Sequence, residues 1–523
     1  MNRIAAYLNR YIDGVAYSAP SILECYATDR SILKYHPRIV AVPANTQDLC
    51  RLLRFSFQLT KKKIDLPITV RGGANSKTGA AIGNGLTVST EKLNRILEID
   101  TRQRLIRVQA GVSYHDVCEA LHSHGLDLPI LADPTETIGG IIARGAKASL
   151  NAKPMDVSEL IEQLEFVLYD GTIIESGRVN LAKDSKKFKA TERDIYRKLN
   201  QIIKAPTNKV SSSDHRGYYN LSKIDPKHFN LADLVCGSEG SLGIISEVIL
   251  RCEAIYDAPD YVAVLCQDNT KFLRLAKLLK ELKFNDIVYF DTEIFNAKES
   301  TGKDTNFFRN ASDDGFLVIA SAKDDSKRIR RLKIRKLGKK LPSGLKLIRS
   351  TPENISEFTA LNEKLTAYLN DTGATQHLPL LDDTFVPEDK QKEYLEGINK
   401  FAAALKTPLA LYGNLDHNLF TFRPAFNLNN SDDRRKMIKL IRIYVDFLDQ
   451  IGASLCGNAS DGRLLAMFGN SKRDAKQMAL ESEVKKIFDP ADILNPGIKH
   501  EVDARVVLKH FRTSYNAGIS SKD

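Results

Sequence analysis

Three glycine-rich segments carry the residue types that can wrap an anionic diphosphate. Residues 71–79 read Arg71, Gly72, Gly73, Ala74, Asn75, Ser76, Lys77, Thr78 and Gly79. Residues 137–143 run from Thr137 through Gly139 and Gly140 to Ala143, and residues 236–245 contain Glu239, Gly240, Gly243 and Ile245. A backbone that must come within hydrogen-bonding distance of a phosphate cannot carry bulky side chains, and its successive N–H groups then form a nest for the anion. One such loop is usually only a turn. Several converging on one ligand suit an elongated diphosphate cofactor better than a mononucleotide.

The elements that must hold these loops are legible in part. Apolar runs at 66–70 and 231–235 precede the first and last loops and read as strands. Thr46 is expected to cap a helix whose buried stripe is Leu49, Leu52 and Leu53. Ser113 and Asp116 begin another helix, which Gly125 ends. Tyr169, Asp170, Gly171 and Thr172 read as a hairpin turn between two apolar runs. After about residue 254, strand-like runs at 261–265 and 316–320 alternate with Lys-rich amphipathic helices, an α/β pattern.

The bulk numbers bound the class. A chain of 523 residues, 43% hydrophobic and 27% charged, is long enough for two or more domains. Its 76 basic against 65 acidic side chains leave a net charge of +11. The seven cysteines contain no Cys-x-x-Cys pair, which argues against a zinc ribbon or an iron–sulfur run and suits a reducing compartment. No signal-peptide core and no apolar window of membrane-spanning length appears, so the expected location is cytoplasmic. Residues 327–340 hold nine basic side chains around Ile329, Leu332, Ile334 and Leu337. They read as a solvated helix face or as a peripheral membrane contact. A nucleic-acid partner is not expected.

The glycine segments resemble the FAD-linked oxidases of the vanillyl-alcohol-oxidase superfamily, in the branch of the glycolate oxidase flavin subunit and the D-lactate dehydrogenases. That branch typically reads Arg-Gly-Gly-Gly-Thr-Ser, then Thr-Ile-Gly-Gly-Met-Ile-Ala, then Gly-Ser-Glu-Gly-Thr-Leu-Gly-Ile-Ile-Thr-Glu. It closes on Phe-Asp-Pro-x-x-Ile-Leu-Asn-Pro-Gly-Lys, which residues 488–497 resemble. The likeness runs from Arg38 to Lys499. It implies an α+β fold: a PCMH-type FAD-binding domain of two subdomains plus an α/β cap, the C-terminal domain of FAD-linked oxidases. The implied boundaries are a lead-in at 1–36, the FAD domain at 37–254, the cap at 255–480 and a segment at 481–523 returning to the FAD domain. FAD contacts are implied for Arg71, Gly72, Gly73, Ala74, Asn75, Ser76, Gly79, Pro134, Thr137, Gly139, Gly140, Ala143, Glu239, Gly240, Gly243, Ile245 and Asn495. Related covalent flavoproteins carry a His in the first loop where this chain has Asn75. An amide cannot attack a flavin methyl group, so FAD is expected to be non-covalent. Only three residues separate Asp133 from Thr137, fewer than the family has, which implies remodelling on the adenine or pyrophosphate side.

The catalytic end departs from the family. Its 2-hydroxy-acid dehydrogenases carry Gly-His-x-Gly-Asp-Gly-Asn-x-His and Gly-Glu-His-Gly-Asp-Gly-Arg, where two His and the Glu hold a divalent metal and the remaining His is the base. Here Asn414 and Phe420 stand at the metal His positions, Asn458 replaces the Glu and Ala459 the base. Two amide oxygens are a poor transition-metal site, so no metal is expected. Asp416, His417, Asp461 and Arg463 remain as catalytic candidates: His417 as a general base or a structural His, Arg463 as a carboxylate clamp or an ion-pair partner. Tyr218, after His215, is expected to line the cap interface; His115, His122 and His124 read as surface residues. Two readings stay open. One is an FAD-dependent oxidoreductase acting without metal on a 2-hydroxy acid or a sugar-acid alcohol. The other is an FAD-binding subunit without catalysis, or an electron-transfer partner of a separate iron–sulfur or other acceptor protein.

Overall fold

The computed structural model describes residues 2–151, 153–177, 190–203, 216–223, 230–255, 259–292, 294, 315–324, 326–369, 375–405, 409–458, 460–469, 474–499 and 502–515. The chain divides into two compact units. The first joins Met1–Asn151, Met155–Ala254 and Asn458–Arg512; the second is Ala152–Pro154, Ile255–Gly457 and Thr513–Asp523. The chain therefore re-enters the first unit at Asn458, earlier than residue 481, because the segment around 458–463 hydrogen-bonds to it.

Among the described residues, the two largest sheets of the first unit have four and five strands. In one, Ile39–Val42 pairs antiparallel with Val15–Tyr17 and parallel with Leu86–Ser89, which pairs parallel with Ile68–Arg71. Its two middle strands, Ile39–Val42 and Leu86–Ser89, are buried at every position, so both faces are covered. The other is antiparallel, in the order Ile173–Gly177, Ile161–Val167, Ile244–Arg251, Leu105–Gln109 and Ile96–Asp100. Gly171, at φ 78°, makes the turn between the first two of these strands.

The helix Thr46–Lys61 lays Leu49, Leu52 and Leu53 onto the first sheet's core. Its N-cap is Asn45 rather than Thr46: the Asn45 side chain accepts from the Asp48 N–H, while Thr46 Oγ1 turns to Glu165. Both residue types cap well, and the one in the extended conformation wins. Asp48 is wholly buried on this helix and accepts backbone N–H bonds from Asp13 at 3.0 Å, Gly14 at 2.8 Å and Ala44 at 3.0 Å. Arg51 pairs with it at 2.9 Å.

The run at 231–235 is a helix, Leu231–Val235, and not a strand. Asn230 caps it by accepting from Ala232, and the third glycine loop follows from Cys236. A short apolar run has no period long enough to separate helix from strand.

Among the described residues, the second unit carries an eight-stranded sheet. Its order is Leu347–Arg349, Asp260–Cys266, Phe316–Ala322, Asn285–Asp291, Leu409–Asn414, Leu419–Phe426 and Gln376–His377, with Thr384–Phe385 also on Leu419–Phe426. Helices Asn269–Glu281, Lys327–Lys340, Gln391–Leu405 and Ser431–Ile451 accompany it. No helix among the described residues is long and apolar enough to cross a membrane.

Replacing Asp48 by Ala strips three backbone N–H groups and Arg51 of their acceptor. The Asp48→Ala protein is expected to lose about 2–4 kcal/mol of stability, read as a lower urea midpoint of the first unit's transition. An unchanged midpoint would remove Asp48 from the account of how the lead-in is held.

Candidate functional site

The first and second glycine loops are interlocked. Gly72 lies against Thr137, so that a Cβ there would sit 2.1 Å from Thr137 Oγ1; at Gly73 it would meet the Thr135 carbonyl at 2.4 Å. Ala74 follows at φ 57°, in the left-handed region that turns successive N–H groups toward one point. Asn75 Nδ2 donates to Thr135 Oγ1 at 3.1 Å, and Ser76 Oγ accepts from Ala80 N–H at 3.0 Å. Arg71 is buried, donates to the Thr28 carbonyl at 2.7 Å and lies over the Tyr26 ring. Burial pulls its guanidinium below the ordinary value, against the field of Asp29.

Thr137 caps the helix Ile138–Arg144 by accepting from Gly140 N–H. Gly139 answers a packing demand, since a Cβ would stand 2.8 Å from that of Ala110. Gly140 is crowded by its own helix cap, since a Cβ would stand 3.1 Å from Thr137 Oγ1. The connection from Asp133 is tied down. The Pro134 carbonyl accepts from His115, Asp133 pairs with Arg30 at 2.9 Å, and Glu136 pairs with Arg144 at 2.6 Å.

The third loop docks on the second. Gly237 N–H donates to Ile142 and Glu239 N–H to Ala143, at 2.9 and 2.8 Å. Glu239 and Gly240 have φ of 54° and 75°, and a Cβ on Gly240 would meet only Val70, at 3.7 Å. Gly243 instead packs on Phe166, where a Cβ would lie at 2.6 Å, and Ile245 is buried in a strand. Among the glycines of these three loops, Gly240 is thus the one at which a Cβ would meet the described residues only at ordinary contact distance, which leaves room for a ligand. Tyr218 is buried in the first unit's core, its hydroxyl 2.7 Å from Ser241 Oγ. That corrects its expected place at the cap; His215 lies outside the described residues.

Asn495 joins all of this. Its N–H donates to the Ile68 carbonyl at 2.7 Å, and Nδ2 donates to Ala80 at 2.9 Å and Glu239 at 2.8 Å. Its Oδ1 accepts from Thr69 Oγ1 at 3.2 Å and Arg463 at 2.9 Å. Arg463 also donates to the carbonyls of Gly79 at 2.6 Å and Pro496 at 3.1 Å. Burial lowers its pKa, and its guanidinium serves as a staple between loops.

Asp461 is in the same unit, with its carboxylate accepting from Gly217 N–H at 2.6 Å and facing Lys499 at 3.4 Å. Lys499 is 1% exposed and also pairs with Glu239 at 3.0 Å. Sequence reasoning missed this lysine, although a basic residue after Asn-Pro-Gly was the available signal. Asn458 is structural too: Oδ1 accepts from Lys147 N–H at 2.8 Å and Arg144 at 3.1 Å.

Asp416 and His417 belong to the second unit, between strands Leu409–Asn414 and Leu419–Phe426. Asn414 Oδ1 accepts the His417 N–H at 3.1 Å. Phe420 is fully buried, its ring 5.3 Å from that of Tyr289 and 5.0 Å from that of Tyr394. Arg423 is committed to Asp382 in a buried pair. Asp416 accepts from Ile287 N–H at 2.7 Å, and burial pushes its carboxyl up to about 6. Among the described residues, no three His, Cys, Asp or Glu side chains gather as a metal site. Ala459 lies outside those residues.

Residues 37–177 match the FAD binding domain, and residues 275–498 match the C-terminal domain of FAD linked oxidases. The chain belongs to the FAD-linked oxidase family. Its cofactor is FAD, and the room at Gly240, on a loop that turns through left-handed backbone at Glu239 and Gly240, fits that group. A D-2-hydroxyglutarate dehydrogenase of Haemophilus influenzae is 23% identical over 503 residues, covering 90% of this chain and 49% of that protein. The chain thus spans about half the length of the D-2-hydroxyglutarate dehydrogenases it matches. A glycolate oxidase subunit of Bacillus subtilis is 23% identical, with 90% of each chain covered. The 4-ethylphenol oxidase of Gulosibacter chungangensis superposes with a TM-score of 0.69 at 13% identity, over 97% of this chain and 98% of that one. The FAD-linked oxidase fold, a PCMH-type FAD domain with an α/β C-terminal domain, is therefore this chain's fold.

Two outcomes follow for this FAD-linked oxidase. Asn495→Ala leaves the Ala80 and Glu239 carbonyls without their donor, and should cost about 3 kcal/mol or more and lower the flavin-to-protein absorbance ratio. Full occupancy at wild-type stability would show that the loops do not depend on it. For Asp416, the raised pKa means the folded state holds its proton up to about pH 6 while the unfolded chain releases it near 4. Its contribution to stability is therefore lost as pH rises between those values. Asp416→Asn should gain up to about 3 kcal/mol relative to wild type above pH 7, and little below pH 4, in paired urea titrations.

Proposed function

We propose that this FAD-linked oxidase oxidises the CH–OH group of a small 2-hydroxy acid or sugar-acid alcohol, with FAD held non-covalently and no divalent metal beside it. Relatives named D-2-hydroxyglutarate dehydrogenase, D-lactate dehydrogenase and glycolate oxidase subunit support the substrate class. The observation that carries the metal-free reading is the fate of the positions where the family holds its metal. Phe420 is sealed in an aromatic core, and Asn458 spends its amide on Lys147 and Arg144.

FAD, when bound, accepts the hydride. The chain must then orient the substrate, exclude water and take one proton. His417 is the nominated base, since an ordinary imidazole titrates near neutrality. The Asn414 amide fixes the backbone that presents it. Arg463 and Arg423 act by positioning, because their guanidinium groups are already committed to the loops and to Asp382. Asp461 is a counter-ion to Lys499 rather than a base. Asn75, holding Thr135 by its side chain, puts an amide where related covalent flavoproteins carry the His that bonds the flavin. An acceptor protein, with or without an iron–sulfur cluster, would complete the electron path.

The test is a purified, tag-free protein. Acid precipitation is expected to release its flavin into solution, metal analysis to find no stoichiometric transition metal, and chelators to leave turnover unchanged. Anaerobic addition of a 2-hydroxy-acid panel is expected to bleach the flavin bands, and His417→Ala to slow the bleaching. Yellow colour retained in the pellet, or a metal lost together with activity, would overturn the corresponding part. If no hydroxy acid bleaches the flavin, the chain is a non-catalytic flavin-binding subunit.

A further inference from the structure

The helix Lys327–Lys340, in the second unit, contains nine basic residues and no acidic one. It buries one narrow stripe, Arg330, Ile334 and Leu337. Arg330 pairs with Asp260 at 2.9 Å, and nearby Lys323 pairs with Asp286 at 3.0 Å. Lys333 Nζ donates to the Lys283 carbonyl at 3.2 Å. Among the described residues, none of the exposed cations of this helix has a carboxylate within ion-pairing distance. The exposed side therefore keeps an uncompensated positive field.

Helical spacing adds a second observation. At about 100° per residue, Leu332 projects almost opposite the buried stripe. Arg328, Arg335 and Lys339 flank it on one side, Lys336 and Ile329 on the other. Leu332 and Ile329 are each 44% exposed. One exposed aliphatic residue means nothing by itself. Two on one face, with the leucine at the middle of a ring of long cationic side chains, form the pattern that lies in a lipid interface: apolar groups dip into the acyl boundary while the cations snorkel to headgroup phosphates.

We propose that this helix face docks the protein on an anionic lipid bilayer. The occupant is a membrane surface and not a nucleic acid. Nucleic-acid phosphates would satisfy the cations but leave Leu332 and Ile329 in water, and the exposed face offers no aromatic side chain for bases to stack on. The surface is independent of the reaction proposed above, so either can fail alone.

The experiment is co-sedimentation of the flavin-loaded protein with vesicles. Phosphatidylcholine vesicles containing roughly one-third phosphatidylglycerol are expected to bind it, and pure phosphatidylcholine vesicles are not. Binding should fall tenfold or more in an Arg328→Gln, Arg335→Gln, Lys339→Gln triple variant, and in salt near 1 M, where the screening length is about 3 Å. Leu332→Ser combined with Ile329→Ser should weaken vesicle binding several-fold while leaving binding to duplex DNA unchanged. An unchanged far-UV circular dichroism spectrum and urea unfolding midpoint in each variant confirm that the second unit is intact. Equal binding to both vesicle types, wild-type binding by either variant, or duplex binding without vesicle binding overturns the proposal.

Discussion

A single buried side chain, Asn495, decides whether the flavin-binding half of this protein has a binding surface at all. The first and third glycine loops are far apart in sequence and have backbone carbonyls that must be paired once buried. Asn495 supplies two N–H bonds from one amide nitrogen, one to each loop, while its oxygen takes Thr69 and Arg463. Its own φ of 43° is one that asparagine tolerates better than most residues. No apolar residue could occupy this point without orphaning several polar groups. Arg463 extends the same tie to Gly79, and Lys499 fastens Glu239 and Asp461 beneath the third loop.

This arrangement separates two kinds of conserved-looking chemistry. Charged residues that seem available for catalysis in a linear reading are spent on holding loops. Arg463 donates to Gly79, Asn495 and Pro496, and Asp461 has a lysine and a backbone donor. Conversely, two positions that the sequence resemblance marks as metal-ligand positions are taken up by packing: Phe420 among tyrosines in the second unit, and Asn458 in the network of Arg144, Glu136 and Lys147 in the first. A substitution of ligand by phenyl is not a gap left open, because the ring fills its volume and excludes water from the spot.

The glycine loops were legible because close backbone approach leaves so few residue types. Which glycine answers to a ligand and which to a neighbour was not legible. Gly139 and Gly243 face Ala110 and Phe166, and only the folded chain brings those side chains there. The Tyr169–Thr172 hairpin and the Ser113 cap rest on local chemistry and read correctly from sequence. The run 231–235 did not, since five apolar residues fit either period, and Asn230 capping turned it into a helix. Lys499 escaped because a lone lysine reads as solvated; its burial depends on the carboxylates of Glu239 and Asp461, which lie elsewhere in the sequence. FAD as the cofactor followed from the motifs, whereas the fate of each catalytic candidate required knowing which unit it entered.

The three-segment composition of the first unit has a consequence for synthesis. The strand Ile68–Arg71 and the loop at Glu239 leave the ribosome long before Asn495 exists to join them, with the whole of Ile255–Gly457 translated in between. During that interval the inserted unit has every residue of its sheet available and can collapse by itself, since its strands all lie within one continuous stretch apart from short flanking pieces. The first unit lacks this tie, its Ala80 and Glu239 carbonyls without the Asn495 donor, until the segment from Asn458 onward emerges. A nascent chain stalled before that point would therefore carry an assembled second unit joined to glycine loops that nothing yet holds together.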